Sequence, residues 1–173
     1  NLFDHIDIKP ENINLPDGEV KPSQVKAFCQ GYEAKIEALG GLDFQLLGIG
    51  RTGHVGFNEP GSNQNSRTRL VNLDHITRED AAEGFQGLEF VPKRAITMGI
   101  ATVLSAKRVV LMAWGQKKSA VIHLAVEGAI TSSLPSSFLQ LHKNTTLVLD
   151  EEAAAELTRI KTPWLVQTCE WND

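Results

Sequence analysis

The chain has 173 residues, 42% of them hydrophobic and 22% charged, which is enough for one globular domain with a sizeable core. Its formal net charge is -4, and its basic residues are scattered, with Lys93-Arg94 and Lys117-Lys118 the nearest approach to a cluster. A basic stripe of the kind that neutralises a nucleic-acid backbone is excluded, so no nucleic-acid partner is expected.

No apolar run reaches the ~18 residues of a membrane span, and the N-terminus lacks the layout of a signal peptide, so no membrane partner is expected. The two cysteines, Cys29 and Cys169, lie far apart and fit no zinc spacing, which points to a reducing, cytoplasmic compartment. The chain opens on Asn1-Leu-Phe-Asp-His and stops at Glu170-Trp-Asn-Asp. Those ends read as one α/β domain over 1–173 cut from a longer polypeptide, leaving room for a fused further domain or a homo-oligomer.

After a turn-rich opening with Pro10 and Pro16-Asp-Gly18, apolar residues recur at Val25, Phe28, Cys29, Tyr32, Ile36 and Leu39. That is the spacing of one helical face, and Gly40-Gly41 supplies the stop. Residues 44–49 are a short, mostly apolar run bounded by glycines, which predicts a buried strand. It leads into GIGRTGHVGFNEPGS at 48–62, and residues 58–65, rich in Asn, Gly, Pro and Ser, predict a loop. Asp74 closes a plausible strand. Residues 95–98 predict a short strand and 107–114 a longer one, ending in Trp114 before Gly115. A helix is expected over 116–128, with Val121, Leu124 and Ala125 on one face, followed by a strand over 145–150 and a helix over 151–157.

Strands alternating with helices predict an open, largely parallel α/β sheet, whose ligands bind outside the carboxyl ends of its strands. Both the Gly48 motif and the Gly115-Gln-Lys-Lys118 turn fall there. The residues Gly48-Ile-Gly50-Arg-Thr-Gly53 fit the dinucleotide fingerprint G-x-G-x-x-G. That fingerprint needs a helix starting at its third glycine, and Gly56, Pro60 and Gly61 leave no room for one; Asp74 lies at a suitable distance for a ribose acid, but the nucleotide reading is set aside. Two readings remain open on spacing alone. Backbone amides approach a small anionic or polyhydroxyl ligand while His54 and Glu59 reach into the same pocket, or the loop is a tight turn whose histidine only bonds the backbone.

Further segments follow in order: Ser66-Arg-Thr-Arg69, Val91-Pro-Lys93, Ala125-Val-Glu-Gly128 and Leu139-Gln-Leu-His142. With GIGRTGHVGFNEPGS they resemble the glucosamine-6-phosphate deaminase (glucosamine-6-phosphate isomerase) family over nearly the whole chain. The continuation Phe57-Asn-Glu-Pro60 separates this pattern from the related 6-phosphogluconolactonases, which share the Gly-rich turn and histidine. The resemblance implies a Rossmann-like α/β fold of the ribose-5-phosphate isomerase and CoA-transferase type, a three-layer open, mostly parallel sheet. It also implies a cofactor-free, metal-free conversion of a small sugar phosphate, glucosamine 6-phosphate, to fructose 6-phosphate and ammonia.

Under that resemblance His54 moves the proton of ring opening, Glu59 orients and polarises it, and Lys118 holds the phosphate, with Gly48, Gly50 and Gly56 lining the substrate and helix-start amides beside Lys118 aiding the anion. The family's base at C2 and its Ser/Thr/Gly phosphate loop belong upstream of Asn1. Three positions depart from the pattern. Thr52 replaces a second carboxylate, removing an anionic partner of the imidazole. A basic phosphate contact falls near Glu83, with Arg78 the nearest cation. Arg69 matches an allosteric arginine, but its lysine partner is Val71. A sugar-phosphate-binding domain without full catalysis and an isomerase acting on another sugar phosphate are the alternatives that keep the same pocket. His5, His75, His123 and His142 have no ligand spacing, and Trp114, Trp164 and Trp171 read as packing or interface residues rather than a sugar platform.

Overall fold

In the computed structural model, residues 2–163 are described; Cys169, Trp164 and Trp171 lie outside them. The opening contains two 3-10 turns, Leu2–His5 and Pro10–Asn12, before helix α1, Val25–Ala38. Cys29 is a free, buried thiol on the apolar face of α1, and Phe28 stacks on Tyr32 with ring centroids 6.5 Å apart. Leu39 falls past the helix end and is 70% exposed, so the predicted face stops one turn earlier than its apolar spacing suggests.

Three strands, β1 (Phe44–Leu47), β4 (Arg108–Ala113) and β5 (Thr145–Leu149), form a parallel sheet in the order β1-β4-β5. Phe44 pairs with Arg108, and Val109 with Thr145. As the central strand, β4 buries Val109, Val110, Leu111 and Ala113; a continuous apolar run is what a strand covered on both faces requires. Between β1 and β4 the chain makes a separate antiparallel ladder from β2 (Arg69–Asn72) and β3 (Arg94–Thr97), flanking helix α2 (His75–Ala81) and its 3-10 extension Ala82–Phe85. Helix α3, Ile100–Leu104, then buries Ile100, Thr102 and Val103.

Beyond β4 a 3-10 turn, Gln116–Lys118, feeds helix α4, Ser119–Glu127. Its buried face is Ser119, Val121, Ile122 and Ala125, and Leu124 is 49% exposed. The expected grouping of Val121, Leu124 and Ala125 is therefore corrected: Ile122 takes the core position and rotates Leu124 onto the flank. A 3-10 helix, Pro135–Leu141, precedes β5, and short helices α5 (Glu151–Ala154) and α6 (Thr158–Lys161) follow it.

The core joins Leu47, Ile49, Val55, Ile100, Val103, Val109, Leu111, Ile122, Phe138 and Leu139. Burying each larger side chain contributes about 1.5–3 kcal/mol, so the loop residue Val55, fully buried, anchors the Gly-rich segment as firmly as a strand residue would. The expected parallel α/β sheet is present, and no helix among the described residues is long and apolar enough to cross a membrane.

Candidate active site

The Gly-rich segment leaves the carboxyl end of β1 and folds on itself. Gly50 N donates to His54 O (3.0 Å) and Gly53 N to Gly50 O (3.0 Å), while Ser136 N donates to Gly53 O (2.9 Å) and ties the loop to the Pro135–Leu141 helix. No helix starts at Gly53, in agreement with the rejected dinucleotide reading. Gly53 has φ +78°, and a Cβ there would run into Leu134 Cδ1, so both conformation and space demand glycine.

Asn58 fixes the next turn. It is fully buried, and its Nδ2 donates to Val55 O (3.0 Å) and Met98 O (2.9 Å). Its Oδ1 accepts from Arg69 Nη1 at 2.8 Å. Every strong hydrogen-bonding direction of the amide except one lone pair is thereby used. Arg69 Nη2 also donates to Ser62 Oγ (3.0 Å), and burial pulls its guanidinium below its ordinary pKa. The residue that matched an allosteric arginine thus fastens the loop that presents Glu59.

His54 and Glu59 are brought together as expected, with side chains only 14% and 12% exposed. His54 Nδ1 lies 3.1 Å from Glu59 Oε2, 2.9 Å from Thr52 Oγ1 and 3.2 Å from Thr77 Oγ1. A carboxylate only accepts, so the Glu59 contact assigns the imidazole proton to Nδ1 and leaves the Nε2 lone pair open. Thr52 donates to Glu59 Oε2 at 3.3 Å, bridging the two residues. Asp74 N donates to Glu59 Oε1 at 3.2 Å, so the carboxylate is held at both oxygens.

Thr77, buried on α2, was not found from sequence, nor was Asp80 one turn further on. The signal lay in Asp74: it was read as a strand end, but its side chain accepts from Ile76 N (2.8 Å) and caps α2, a role Asp favours. Arg78 on the same helix turns away from the site, donating to Leu88 O (2.9 Å) and Val91 O (3.3 Å).

Gly48, Ile49, Gly50, His54, Gly56, Thr77, Asp80, Ala81 and Lys118 line one cleft of about 420 Å³. The two predicted motifs meet here because β1 and β4 are parallel neighbours, and Lys118 Nζ donates to Ile49 O at 2.8 Å. Two details of the expected ligand contacts are corrected. The Gly50 amide is spent on His54 O, and the glycine is needed because a Cβ would overlap the imidazole ring. At the Lys118 turn, the amides of Gly115 and Gln116 are taken by the carboxylates of Asp150 (2.9 Å) and Glu152 (3.2 Å), so this turn offers an anion its ammonium group. Of the remaining histidines, His75 and His123 pair with Glu79 and Glu127 at i,i+4 (both 3.2 Å), and His142 faces Ala106 O at 2.7 Å. Trp114 stands 53% exposed beyond β4.

The comparisons agree with this fold. The family model described as "Glucosamine-6-phosphate isomerases/6-phosphogluconolactonase" matches residues 1–148, and the chain belongs to that family. A glucosamine-6-phosphate deaminase of Shewanella woodyi is 54% identical over 157 residues, 91% of this chain and 59% of that protein. A glucosamine-6-phosphate deaminase-like protein of Bacteroides thetaiotaomicron is 49% identical over 172 residues, 99% of this chain and 26% of that protein. Among solved structures, a monomeric glucosamine-6-phosphate deaminase superposes with TM-score 0.85 at 44% identity, covering 89% of this chain and 63% of that one. The 6-phosphogluconolactonase of Trypanosoma cruzi, at 24% identity and TM-score 0.60 over 82% of this chain and 55% of that one, shares the fold. The chain spans between a quarter and two thirds of the length of these relatives.

Proposed function

We propose that this chain supplies the ring-opening and phosphate-holding part of a glucosamine-6-phosphate deaminase acting in cytoplasmic amino-sugar catabolism. Glucosamine 6-phosphate and water become fructose 6-phosphate and ammonia, a net hydrolysis of the C2–N bond. The observation that carries this reading is His54: its Nδ1 faces Glu59, with Thr52 and Thr77 also within 3.2 Å, and its ring lines the cleft that Lys118 also lines.

In the proposed mechanism Lys118 leaves Ile49 O to hold the phosphate as a charge-assisted contact. His54 Nε2 takes the anomeric hydroxyl proton and returns it to the ring oxygen, opening the pyranose. Glu59 stabilises the imidazolium formed in between, and Thr52 keeps the two aligned. Isomerisation then moves the C2 proton to C1 and an amine proton to the aldehyde oxygen, giving a C1 alcohol and a C2 imine; water adds at C2, ammonia leaves, and the C2 carbonyl of the ketose is formed. None of these steps calls on a cofactor.

The test is turnover of glucosamine 6-phosphate by the intact protein, followed by coupled detection of ammonia and fructose 6-phosphate. His54→Asn is expected to lower kcat by about 10²- to 10⁴-fold, the usual worth of general acid–base assistance. Binding of the sugar phosphate without any turnover by the wild type would overturn the enzymatic reading.

A further inference from the structure

The cleft lining carries one full positive charge, Lys118, and one carboxylate, Asp80. A phosphate monoester brings about -1.5 to -2 charges at neutral pH. Lys118 and Asp80 cancel, so the lining by itself is a poor host for a dianion.

The compensation comes from Arg51, two residues beyond the Ile49 carbonyl that holds Lys118. Its Nε donates to Asp80 Oδ2 at 3.0 Å, and its Nη2 meets Asp80 Oδ1 at 2.7 Å, a two-point clamp. Glu79 Oε2 stands further off, 3.9 Å from the same Nη2. The Arg51 and Asp80 side chains are 47% and 43% exposed, so this is a rim pair, and exposed pairs contribute little to stability. The bond from Arg51 holds the Asp80 carboxyl below the ordinary range; burial opposes this, and the charges of Arg51, Lys118 and His54 add to it. Asp80 therefore stands in the field of both Arg51 and Lys118. Binding through Nε and Nη2 leaves the guanidinium's other N–H groups for a second acceptor, and its planar fork matches phosphate oxygens.

Resting on the deaminase reading above, we infer that Arg51 is a second cation for the substrate phosphate and that Asp80 is the positioning residue that holds it over the cleft. Without Arg51, Asp80 would face the phosphate uncompensated and repel it. The pair thus acts on phosphate affinity, while the chemistry at His54 is left to run at its own rate.

The test is a double-mutant cycle in the intact protein, read by steady-state kinetics with glucosamine 6-phosphate and by calorimetry with inorganic phosphate. Arg51→Met is expected to raise KM and the phosphate Kd by about tenfold, with kcat within about twofold. Adding Asp80→Asn to Arg51→Met should recover part of that loss, since the repelling carboxylate is gone. A merely structural pair would lower thermal stability in both variants and leave KM unmoved. If Arg51→Met leaves KM and phosphate affinity unchanged while Lys118→Ala weakens both, Arg51 is not a phosphate ligand and the Lys118 subsite stands. If Lys118→Ala is also without effect, the phosphate subsite itself is misplaced, and this inference falls with it.

Discussion

The imidazole of His54 occupies the space that a side chain at Gly50 would need. One residue of the Gly-rich segment is therefore small so that another can lie flat against the backbone, and the glycine spacing encodes the position of the histidine. Gly50→Ala is expected to push the ring off its contacts with Glu59 and Thr52. A displacement of about 1 Å costs on the order of 10²-fold in rate, so kcat should fall by about that factor while the protein stays folded. Circular dichroism alongside the ammonia assay separates this from unfolding; an unchanged kcat would mean that the ring position is immaterial.

Thr52 departs from the carboxylate of the family pattern, and it bridges His54 and Glu59 through one hydroxyl. Thr52→Val keeps the shape and removes the bridge. A hydrogen bond to a charged group is worth about 1.5–3 kcal/mol, so kcat should drop by about ten- to a hundredfold with KM little changed, and Thr52→Ser should restore most of it. Equal activity of the Val and Ser variants would reduce Thr52 to a spacer.

Asn58 joins the backbone at Val55 and Met98 to the Arg69 side chain. Asn58→Ala would remove three hydrogen bonds, worth about 0.5–1.5 kcal/mol each and about 1.5–3 kcal/mol for the one from the charged Arg69, so a loss of about 3 kcal/mol in unfolding free energy is expected from urea titration. Glu59 is the next residue, so activity measured well below the transition should fall as well. Stability within about 0.5 kcal/mol of wild type would show that the turn holds itself.

Glu33 on α1 accepts from Thr68 N (2.8 Å), Thr68 Oγ1 (2.5 Å) and Thr102 Oγ1 (2.6 Å), and Arg67 Nη1 lies 3.3 Å from its other oxygen. Burial raises its pKa, but the bonds from Thr102 and Thr68 and the charge of Arg67 outweigh that, so the carboxyl sits below its ordinary range. The unfolded chain then binds more protons in acid. The stabilisation is complete above the unfolded value of about 4.3 and is lost as pH falls through the lower folded value. Glu33→Gln should cost about 2 kcal/mol at neutral pH and flatten the acid limb of urea midpoints plotted against pH. Parallel limbs for wild type and variant would contradict it.

The three parallel strands were legible because each is a short, mostly apolar run, and their parallel order brought the Gly48 and Lys118 motifs together; the expected burial of the first is corrected, since β1 lies at the sheet edge with Phe44 and Leu46 about half exposed and only Leu47 buried. The contact of His54 with Glu59 was one of two readings the loop spacing left open, and Thr52 was singled out only through the family resemblance. Thr77 and Asp80 were not legible, because α2 has seven residues, HITREDA, too few for a periodic face to show, and its capping aspartate also suits the end of a strand. Glu33 was hidden differently. It shares the half-buried stripe of Tyr32 and Ile36, where a carboxylate reads as an interruption of the pattern, and its partners Thr68 and Thr102 are remote in sequence. The spent amides of Gly50, Gly115 and Gln116 depend on tertiary contacts that spacing does not reveal.

Lys118 reaches Ile49 across 69 residues of chain, whereas His54 and Glu59 are five apart. During folding the histidine–carboxylate pair therefore closes only a short loop, whereas the cleft comes into being when β1 and β4 zip together, a non-local and slower event. In a refolding time course, an environmental probe at His54 would settle first, and affinity for a phosphorylated ligand would return later, in step with formation of the sheet.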